Sequence, residues 1–110
     1  MVKPGQIIKI DFNPSIGHEQ AGYRPAVVIS NEFSIAHHNV VYICPITNTN
    51  KPYPTHIPLD ERTATTGVVL CEHMKSVDLT ERRFSYVEDM PPDIFERVVF
   101  AVSSLIRLPE

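Results

Sequence analysis

The stretch GHEQAGYRPAVVIS, residues 17–30, joins a polar loop to a strand that must be buried. Its second part, residues 26–29, is an unbroken apolar and β-branched run, which is typical of a strand inside a core. Its first part carries an imidazole, a carboxylate, an amide and a guanidinium, which a core excludes. A polar loop anchored by a rigid strand is a common way to present a site. A plain connector with a salt bridge between Glu19 and Arg24 fits the same residues.

Length and composition predict one globular domain over residues 1–110, since 43% of the residues are hydrophobic and 21% are charged. No apolar run is long enough for a signal peptide or a membrane span, so we expect a cytoplasmic protein that contacts no membrane. The net charge of −3 argues against a long surface that binds duplex nucleic acid, but it permits a short single strand in a local basic groove. The basic residues available for such a groove are Lys9, Arg24, Lys51, Lys75, Arg82 and Arg83.

The cysteines and histidines do not have the spacing of a metal site. Cys44 and Cys71 each lie in an apolar run without a CxxC pattern, so we expect two small buried hydrophobic residues rather than a disulfide or a metal pair. The five histidines show no ligand spacing with cysteine or carboxylate. We therefore expect no metal and no other cofactor.

Short β-branched and aromatic runs between prolines, glycines and polar turns predict a series of strands. The predicted strands are residues 6–12, 24–30, 40–46, 55–59, 68–72, 75–79 and 84–87. We also expect a short helical turn that begins at Ser30 or Asn31, and a bend or bulge near His73 and Met74.

After residue 90 the apolar spacing changes to three and four, which predicts an amphipathic helix of about four turns. Pro91, Pro92 and Asp93 favour its start, and Pro109 lies beyond its end. Its apolar positions are Ile94, Val98, Ala101, Val102, Leu105 and Ile106. Strands outnumber helices, so we expect an α+β, mostly β fold: a small bent sheet or partly closed barrel, with the terminal helix over one opening.

Three segments, in chain order, resemble the MazF/PemK/Kid family of toxins, the ribonuclease halves of bacterial toxin–antitoxin pairs. They are DFNPSIGHEQAGYRPAVVIS at residues 11–30, CPITN at 44–48 and TTGVVLCEHMKSVDL at 65–79. The resemblance spans most of the chain. It implies an SH3-like small β-barrel with a C-terminal helix, a homodimer with RNA across the pair, and an acidic antitoxin that occupies the RNA groove.

Cleavage of RNA by its own 2′-hydroxyl needs a base, a group that stabilises the phosphorane and an acid for the leaving 5′ oxygen. His18 suits either the base or the acid, because an imidazole titrates near neutral pH. Arg24 can bind phosphate oxygens in a bidentate manner, and the hydroxyl of Thr47 can be a second donor. The resemblance also implies that Arg24 and Thr47 are active-centre residues, whereas some relatives have serine in place of His18.

The match departs from the family at one point, since Leu70 and Glu72 stand where other members have arginine and aspartate. This departure argues against a mechanism that uses that arginine and aspartate, and it favours Arg24 as the catalytic arginine. Glu19 is expected to orient Arg24 or to contact bases, and other polar or aromatic side chains are expected to contact RNA. The predicted RNA-binding residues are Glu19, Gln20, Lys75, Arg82 and Tyr53.

The leading prediction is a sequence-specific, metal-independent endoribonuclease that cuts single-stranded messenger RNA and leaves a 2′,3′-cyclic phosphate and a 5′-hydroxyl. As the toxin of a type II pair, it would inhibit translation and growth. One alternative is a barrel toxin that poisons DNA gyrase without catalysis, and another is a barrel module that binds a peptide. The polar set His18, Arg24 and Thr47 favours the ribonuclease, because neither alternative gives that set a role.

Overall fold

Antiparallel pairing joins the strands into one sheet in the order β4-β5-β3-β2-β1-β7, with β6 also paired to β3. The computed structural model describes residues 1–13, 22–49 and 52–108. The strands are β1 (Gln6–Asp11), β2 (Tyr23–Val28), β3 (Val41–Thr47), β4 (His56–Pro58), β5 (Val68–Leu70), β6 (Lys75–Val77) and β7 (Phe84–Asp89). The helices are α1 (Glu32–His37) and α2 (Pro92–Ile106), and a single 3₁₀ turn spans Cys71–His73.

Strand β3 is the element on which the two halves of the sheet meet. Along one side it pairs with β2, and along the other it pairs first with β6 at residues 41–43 and then with β5 at residues 46–47. Pro45 lies between these last two segments. A proline has no N–H to donate, so it is tolerated where a ladder changes partner.

Alternate residues of the sheet enter two cores, as the period of two for strands requires. One core lies under α2, and the other lies on the opposite face and includes Ile35 of α1. The core under α2 contains Ile7, Val27, Cys44, Ile46, Ile57, Val69, Ile94, Val98 and Val102. The opposite core contains Ile8, Ile10, Phe12, Ala26, Val28, Val41, Ile43 and Val77. The predicted α+β, mostly β fold with a C-terminal helix is confirmed.

Helix α2 shows where the apolar spacing was misleading. Ile94, Val98 and Val102 are buried, but Leu105 and Ile106 are 47% and 72% exposed. These two residues continue the apolar stripe past Val102, the last helix residue that the core buries. The predicted helix is therefore right in its position, while Leu105 and Ile106 in its last turn are left exposed by the residues that the structure describes.

The start of α1 settles the choice between two predicted caps. The side chain of Asn31 accepts the N–H of Ser34 at 2.8 Å, which is the N-cap bond of the helix. The Ser30 hydroxyl instead accepts the N–H of Tyr42 at 2.6 Å and so ties α1 to β3.

Several predicted strand boundaries were wrong by one or two residues. One difference of two residues follows β5, which ends at Leu70 because Cys71 begins the 3₁₀ turn. The expected bend therefore begins before His73. Strand β6 ends at Val77, since the Asp78 carboxylate accepts the N–H and hydroxyl of Thr80 in a turn. Both cysteines are buried free thiols, as expected. Across the part of the chain that is described, no helix is long and apolar enough to span a membrane.

Candidate active site

The register of the sheet collects four distant side chains on the face that α2 does not cover. Ala26 pairs with Pro45, so continuing that register by two residues places Arg24 beside Thr47 on one face. Thr47 pairs in turn with Val68, and Leu70 pairs with His56. Strands β2, β3, β5 and β4 thus present Arg24, Thr47, Leu70 and His56 on one side of the sheet.

These side chains surround a cavity of about 330 Å³, which we call the Arg24 cavity. The described residues that line it are Arg24, Thr47, Thr49, His56, Leu70, Glu72 and His73. A larger cavity, of about 490 Å³, lies between the N-terminal strand and α2, but the described residues around it include no arginine or histidine. Of these two cavities, the Arg24 cavity is the one whose described lining combines an arginine with histidines.

Thr47 is held in position by its own turn. It is the last residue of β3, and its hydroxyl oxygen accepts the N–H of Thr49 at 3.1 Å. Because that bond uses the oxygen as an acceptor, the hydroxyl hydrogen can be donated to another group. Arg24, the second residue of β2, is exposed and brings a permanent positive charge to the same cavity.

The sequence did not predict the ion pair that forms the far wall of the cavity. His56 Nε2 lies 2.6 Å from Glu72 Oε2, and the hydroxyl of Thr55 donates to Glu72 Oε1 at 2.7 Å. His73 Nε2 is more distant, at 3.9 Å from the same carboxylate. Partial burial raises the pKa of Glu72, but the hydrogen bonds from Thr55 and His56 outweigh burial and hold that pKa below its usual value.

The ionised carboxylate of Glu72 fixes the position of the hydrogen in its contact with His56. An ionised carboxylate only accepts hydrogen bonds, so Nε2 of His56 must carry the hydrogen in its contact with Glu72. The cavity therefore combines a fixed cation, a hydroxyl donor and a titratable imidazole held by a carboxylate.

A sequence signal for this pair did exist. Residues 55–59 and 68–72 were both predicted as strands, and their pairing as neighbours places His56 opposite Leu70, two residues before Glu72. The sequence did not give the register between these two strands, which is needed to place His56 near Glu72. Glu72 reaches the imidazole because the chain turns at Cys71–His73.

The remaining predicted site residues are not all brought to the cavity. The Tyr53 ring lies 5.5 Å from the His56 ring, with 64% of the residue exposed, and so stands at the rim. Lys75 lies on β6, and its Nζ is 5.1 Å from the centre of the Phe12 ring. Arg82 donates from Nη1 to two backbone carbonyls, those of Asp11 at 2.9 Å and Asn13 at 3.1 Å. His18, Glu19 and Gln20 lie outside the described residues.

Comparison with known proteins identifies relatives over nearly the whole chain. Residues 3–106 match the family described as PemK-like, MazF-like toxin of type II toxin-antitoxin system. The endoribonuclease toxin MazF of Escherichia coli K12 is 32% identical over 103 residues, which cover 93% of this chain and 91% of the relative. MazF of Deinococcus radiodurans superposes with a TM-score of 0.88 at 32% identity, covering 96% of each chain. A MazE–MazF structure from that organism gives a TM-score of 0.82 at 27% identity, covering 98% and 97%.

Proposed function

The chain belongs to the PemK-like, MazF-like toxins of type II toxin-antitoxin systems, and we propose that it is an endoribonuclease that cuts single-stranded RNA in the Arg24 cavity. The observation that supports this most strongly is the meeting of Arg24 and Thr47 from two strands in one open cavity. The relative from Escherichia coli is itself an endoribonuclease toxin.

Arg24 and Thr47 are suited to the phosphate at which the chain is cut. The guanidinium binds two phosphate oxygens at once, and the Thr47 hydroxyl donates a hydrogen bond as negative charge grows on the phosphorane. RNA supplies the nucleophile, since its 2′-hydroxyl attacks the adjacent phosphorus and leaves a 2′,3′-cyclic phosphate and a 5′-hydroxyl. His18 serves as base or acid in this proposal, and no step requires a metal.

Single-stranded RNA fits the charge and shape of the surface. A single strand can splay its bases onto aromatic side chains, and Tyr53 is an exposed ring at the rim of the cavity. We propose that Glu19, Gln20 and Lys75 contact the RNA strand as well, and that Arg82, which donates to the Asp11 carbonyl at the end of β1, adds a positive charge there. A few local cations suffice for this contact, which is compatible with the net charge of −3.

The proposed partners are a second copy of the chain and an acidic antitoxin. Helix α2 exposes apolar side chains that a second copy would cover, namely Val99, Phe100, Leu105 and Ile106. A MazF relative forms a MazE–MazF structure, and an acidic segment that folds on binding is a natural mimic of the RNA backbone. We propose that it occupies the RNA groove. Because messenger RNA is the proposed substrate, the protein acts in the cytoplasm.

Incubation of the purified protein with RNA of mixed sequence in EDTA tests the activity. We expect fragments with 2′,3′-cyclic phosphate and 5′-hydroxyl ends, identified by mass spectrometry and end labelling. Intact RNA would overturn the proposal, and 5′-phosphate ends would overturn its mechanism.

Titrating an acidic peptide in the presence of a deoxy-substituted substrate analogue tests the partner. An unchanged peptide affinity at saturating analogue would place the inhibitor elsewhere.

A further inference from the structure

Another cavity, of about 390 Å³, adjoins the Arg24 cavity along the chain, and we call it the Lys9 cavity. The described residues that line it are Lys9, Pro25, Asn48, Ala64, Thr65, Thr66 and Val87. Its lining contains the direct neighbours of residues in the Arg24 cavity. Pro25 follows Arg24, and Asn48 stands between Thr47 and Thr49. The two cavities therefore meet where β2 begins and β3 ends.

The two cavities open on opposite faces of the sheet, because successive residues of a strand point to opposite sides. Pro25 lies on the same face as Val27, which belongs to the core under α2. Arg24 lies on the same face as Ala26, which belongs to the opposite core. A chain bound in the Arg24 cavity therefore reaches the Lys9 cavity by passing over residues 47–49, at the end of β3.

The loop between β4 and β5 forms one side of the Lys9 cavity and is fastened at two points. Arg62 in this loop donates to Asp93 of α2 at 2.8 Å and to Asp60 at 2.9 Å. The Glu88 carboxylate on β7 accepts the N–H of Thr65 at 2.8 Å and its hydroxyl at 2.7 Å. A loop held to both α2 and β7 keeps the cavity formed before a ligand arrives, which lowers the ordering cost of binding.

The lining of the Lys9 cavity matches the parts of one nucleotide. Lys9 is exposed and brings a positive charge, which suits a phosphate, and the described lining includes no carboxylate. Asn48 Oδ1 accepts the Thr66 hydroxyl at 2.9 Å, which orients the amide and leaves two N–H donors on Nδ2 for the edge of a base. Pro25 and Val87 add apolar surface against which a base can pack.

The charges around Lys9 suit a single phosphate. Asp11 lies two residues along β1 on the same face, and Glu88 lies on the neighbouring strand β7. Both carboxylates accept backbone N–H groups. Arg83 adds a second positive charge, with its Cζ 4.2 Å from the centre of the Tyr23 ring, and Tyr23 pairs with Asp11. The balance is weakly positive, which fits one phosphate of a single strand better than a long polyanion.

We propose that the Lys9 cavity is a nucleotide subsite of the RNA-binding surface: Lys9 holds the phosphate of a nucleotide next to the cleaved linkage, and Asn48 contacts its base. This inference rests on the proposed endoribonuclease activity and extends it from the cleaved phosphate to a neighbouring nucleotide. Because the subsite lies on the other face from Arg24 and Thr47, it acts on affinity and on the choice of base.

Binding of trimmed RNA analogues tests the phosphate contact. After the cleavage site is mapped on ordinary RNA, analogues with a deoxy sugar at that site would be trimmed by one nucleotide at a time from either end. Their Kd values would be measured by fluorescence anisotropy. In the wild type, removal of the nucleotide in the Lys9 cavity should weaken binding by about threefold or more. Lys9→Gln should weaken the untrimmed analogue by a similar factor and abolish that step.

Salt dependence and a matched variant separate this contact from a general loss of charge. Lys9→Gln should reduce the slope of log Kd against log salt concentration by about 0.7, the value for one phosphate contact in a single strand. Lys3→Gln, at an exposed position near the N-terminus, should change neither the slope nor the trimming steps. Unchanged trimming steps or an unchanged slope in Lys9→Gln would overturn the subsite. A wild-type protein that binds and cuts no RNA would instead overturn the endoribonuclease itself.

The contact with the base is tested at Asn48. Asn48→Ala removes the amide donors, so the preference between bases at the nucleotide identified by trimming should be lost. Thr66→Val removes the hydrogen bond to Asn48 Oδ1 but keeps the amide, so a preference should remain. Equal loss of preference in the two variants would show that Asn48 acts only through the loop, and this would overturn its contact with the base. A wild-type preference in Asn48→Ala would overturn it as well.

Discussion

Gly67 lies directly against the backbone of Thr47: a Cβ at Gly67 would stand 2.7 Å from the carbonyl carbon of Thr47 and closer still to its oxygen. Gly67 also has a φ of +113°, a conformation that other residues rarely adopt. The loop that leads into β5 therefore sets the position of the last residue of β3. A hydroxyl of the Arg24 cavity depends on a glycine that takes no part in the chemistry.

Gly67→Ala should accordingly reduce both stability and activity. The new methyl group forces the Thr47 backbone to move and adds the strain of a positive φ, so we expect a loss of about 1–3 kcal/mol in unfolding free energy. RNA cleavage should fall more than stability alone explains. Gly5→Ala is the matched control, since φ is +85° there and the nearest atom is the Phe95 ring at 3.7 Å. Equal activity in the two variants, measured at a temperature where both are folded, would refute the link to Thr47.

Arg24→Ala should abolish RNA cleavage while the protein stays folded. Arg24 is exposed, so its removal leaves the core intact, while the phosphorane loses its fixed positive charge. We expect a rate loss of at least about a hundredfold, with a smaller but still large loss in Arg24→Lys, which lacks the planar fork. Lys3→Ala removes the same charge from an exposed position near the N-terminus and serves as the control. Wild-type rates and an unchanged Tm in Arg24→Ala would remove this residue from the active centre.

Arg82 should act as a brace for the end of β1 more than as a phosphate ligand. Its guanidinium is half-buried and donates to the carbonyls of Asp11 and Asn13. Hydrogen bonds from a charged group are worth about 2 kcal/mol, so Arg82→Ala should lower the unfolding free energy by roughly that amount. Arg82→Lys decides between the roles, because lysine keeps the charge but cannot reproduce the fork. If Arg82→Lys retained full stability and RNA affinity, the brace would be wrong.

Glu88→Gln should destabilise the protein at neutral pH but not in acid. The half-buried carboxylate accepts the N–H groups of Ala64 and Thr65 and the Thr65 hydroxyl. Burial raises the pKa of Glu88, but these bonds outweigh it and lower the pKa below its usual value. The unfolded chain then binds the proton more tightly, so the stabilisation is complete above about pH 4.3 and is lost as pH falls through the folded pKa.

Urea unfolding of both proteins across that range would measure the effect. We expect a difference of about 1–2 kcal/mol at pH 7 that shrinks toward zero at low pH. Glu96→Gln, on the exposed side of α2, should show no such difference. A gap that stays constant with pH would mean that the carboxylate charge does not hold the 64–65 loop.

Local patterns in the sequence were enough for the elements. The run at residues 26–29 predicted a buried strand, and Ala26, Val27 and Val28 are fully buried in β2. The spacing after residue 90 predicted α2. These inferences succeed because period and turn chemistry are properties of neighbouring residues, which the chain order already contains. The predicted strand boundaries were less accurate, since the residue at which a strand ends depends on its pairing partner. Strand β5, for example, ends at Leu70 because the 3₁₀ turn begins at Cys71.

The sequence by itself also predicted the family, and it indicated Arg24 and Thr47 as candidate site residues because each stands in a recognisable local motif. Only the tertiary structure decided which other groups share their cavity. His56 and Glu72 are separated by 16 positions and lie in no common motif, yet they meet at 2.6 Å through the pairing of β4 with β5. Conversely, Arg82 donates to the backbone carbonyls of Asp11 and Asn13, at the end of β1 and just beyond it. Contacts between distant residues depend on strand register, because a slip of one residue would turn every side chain of the strand to the other face of the sheet. No local sequence pattern specifies that register.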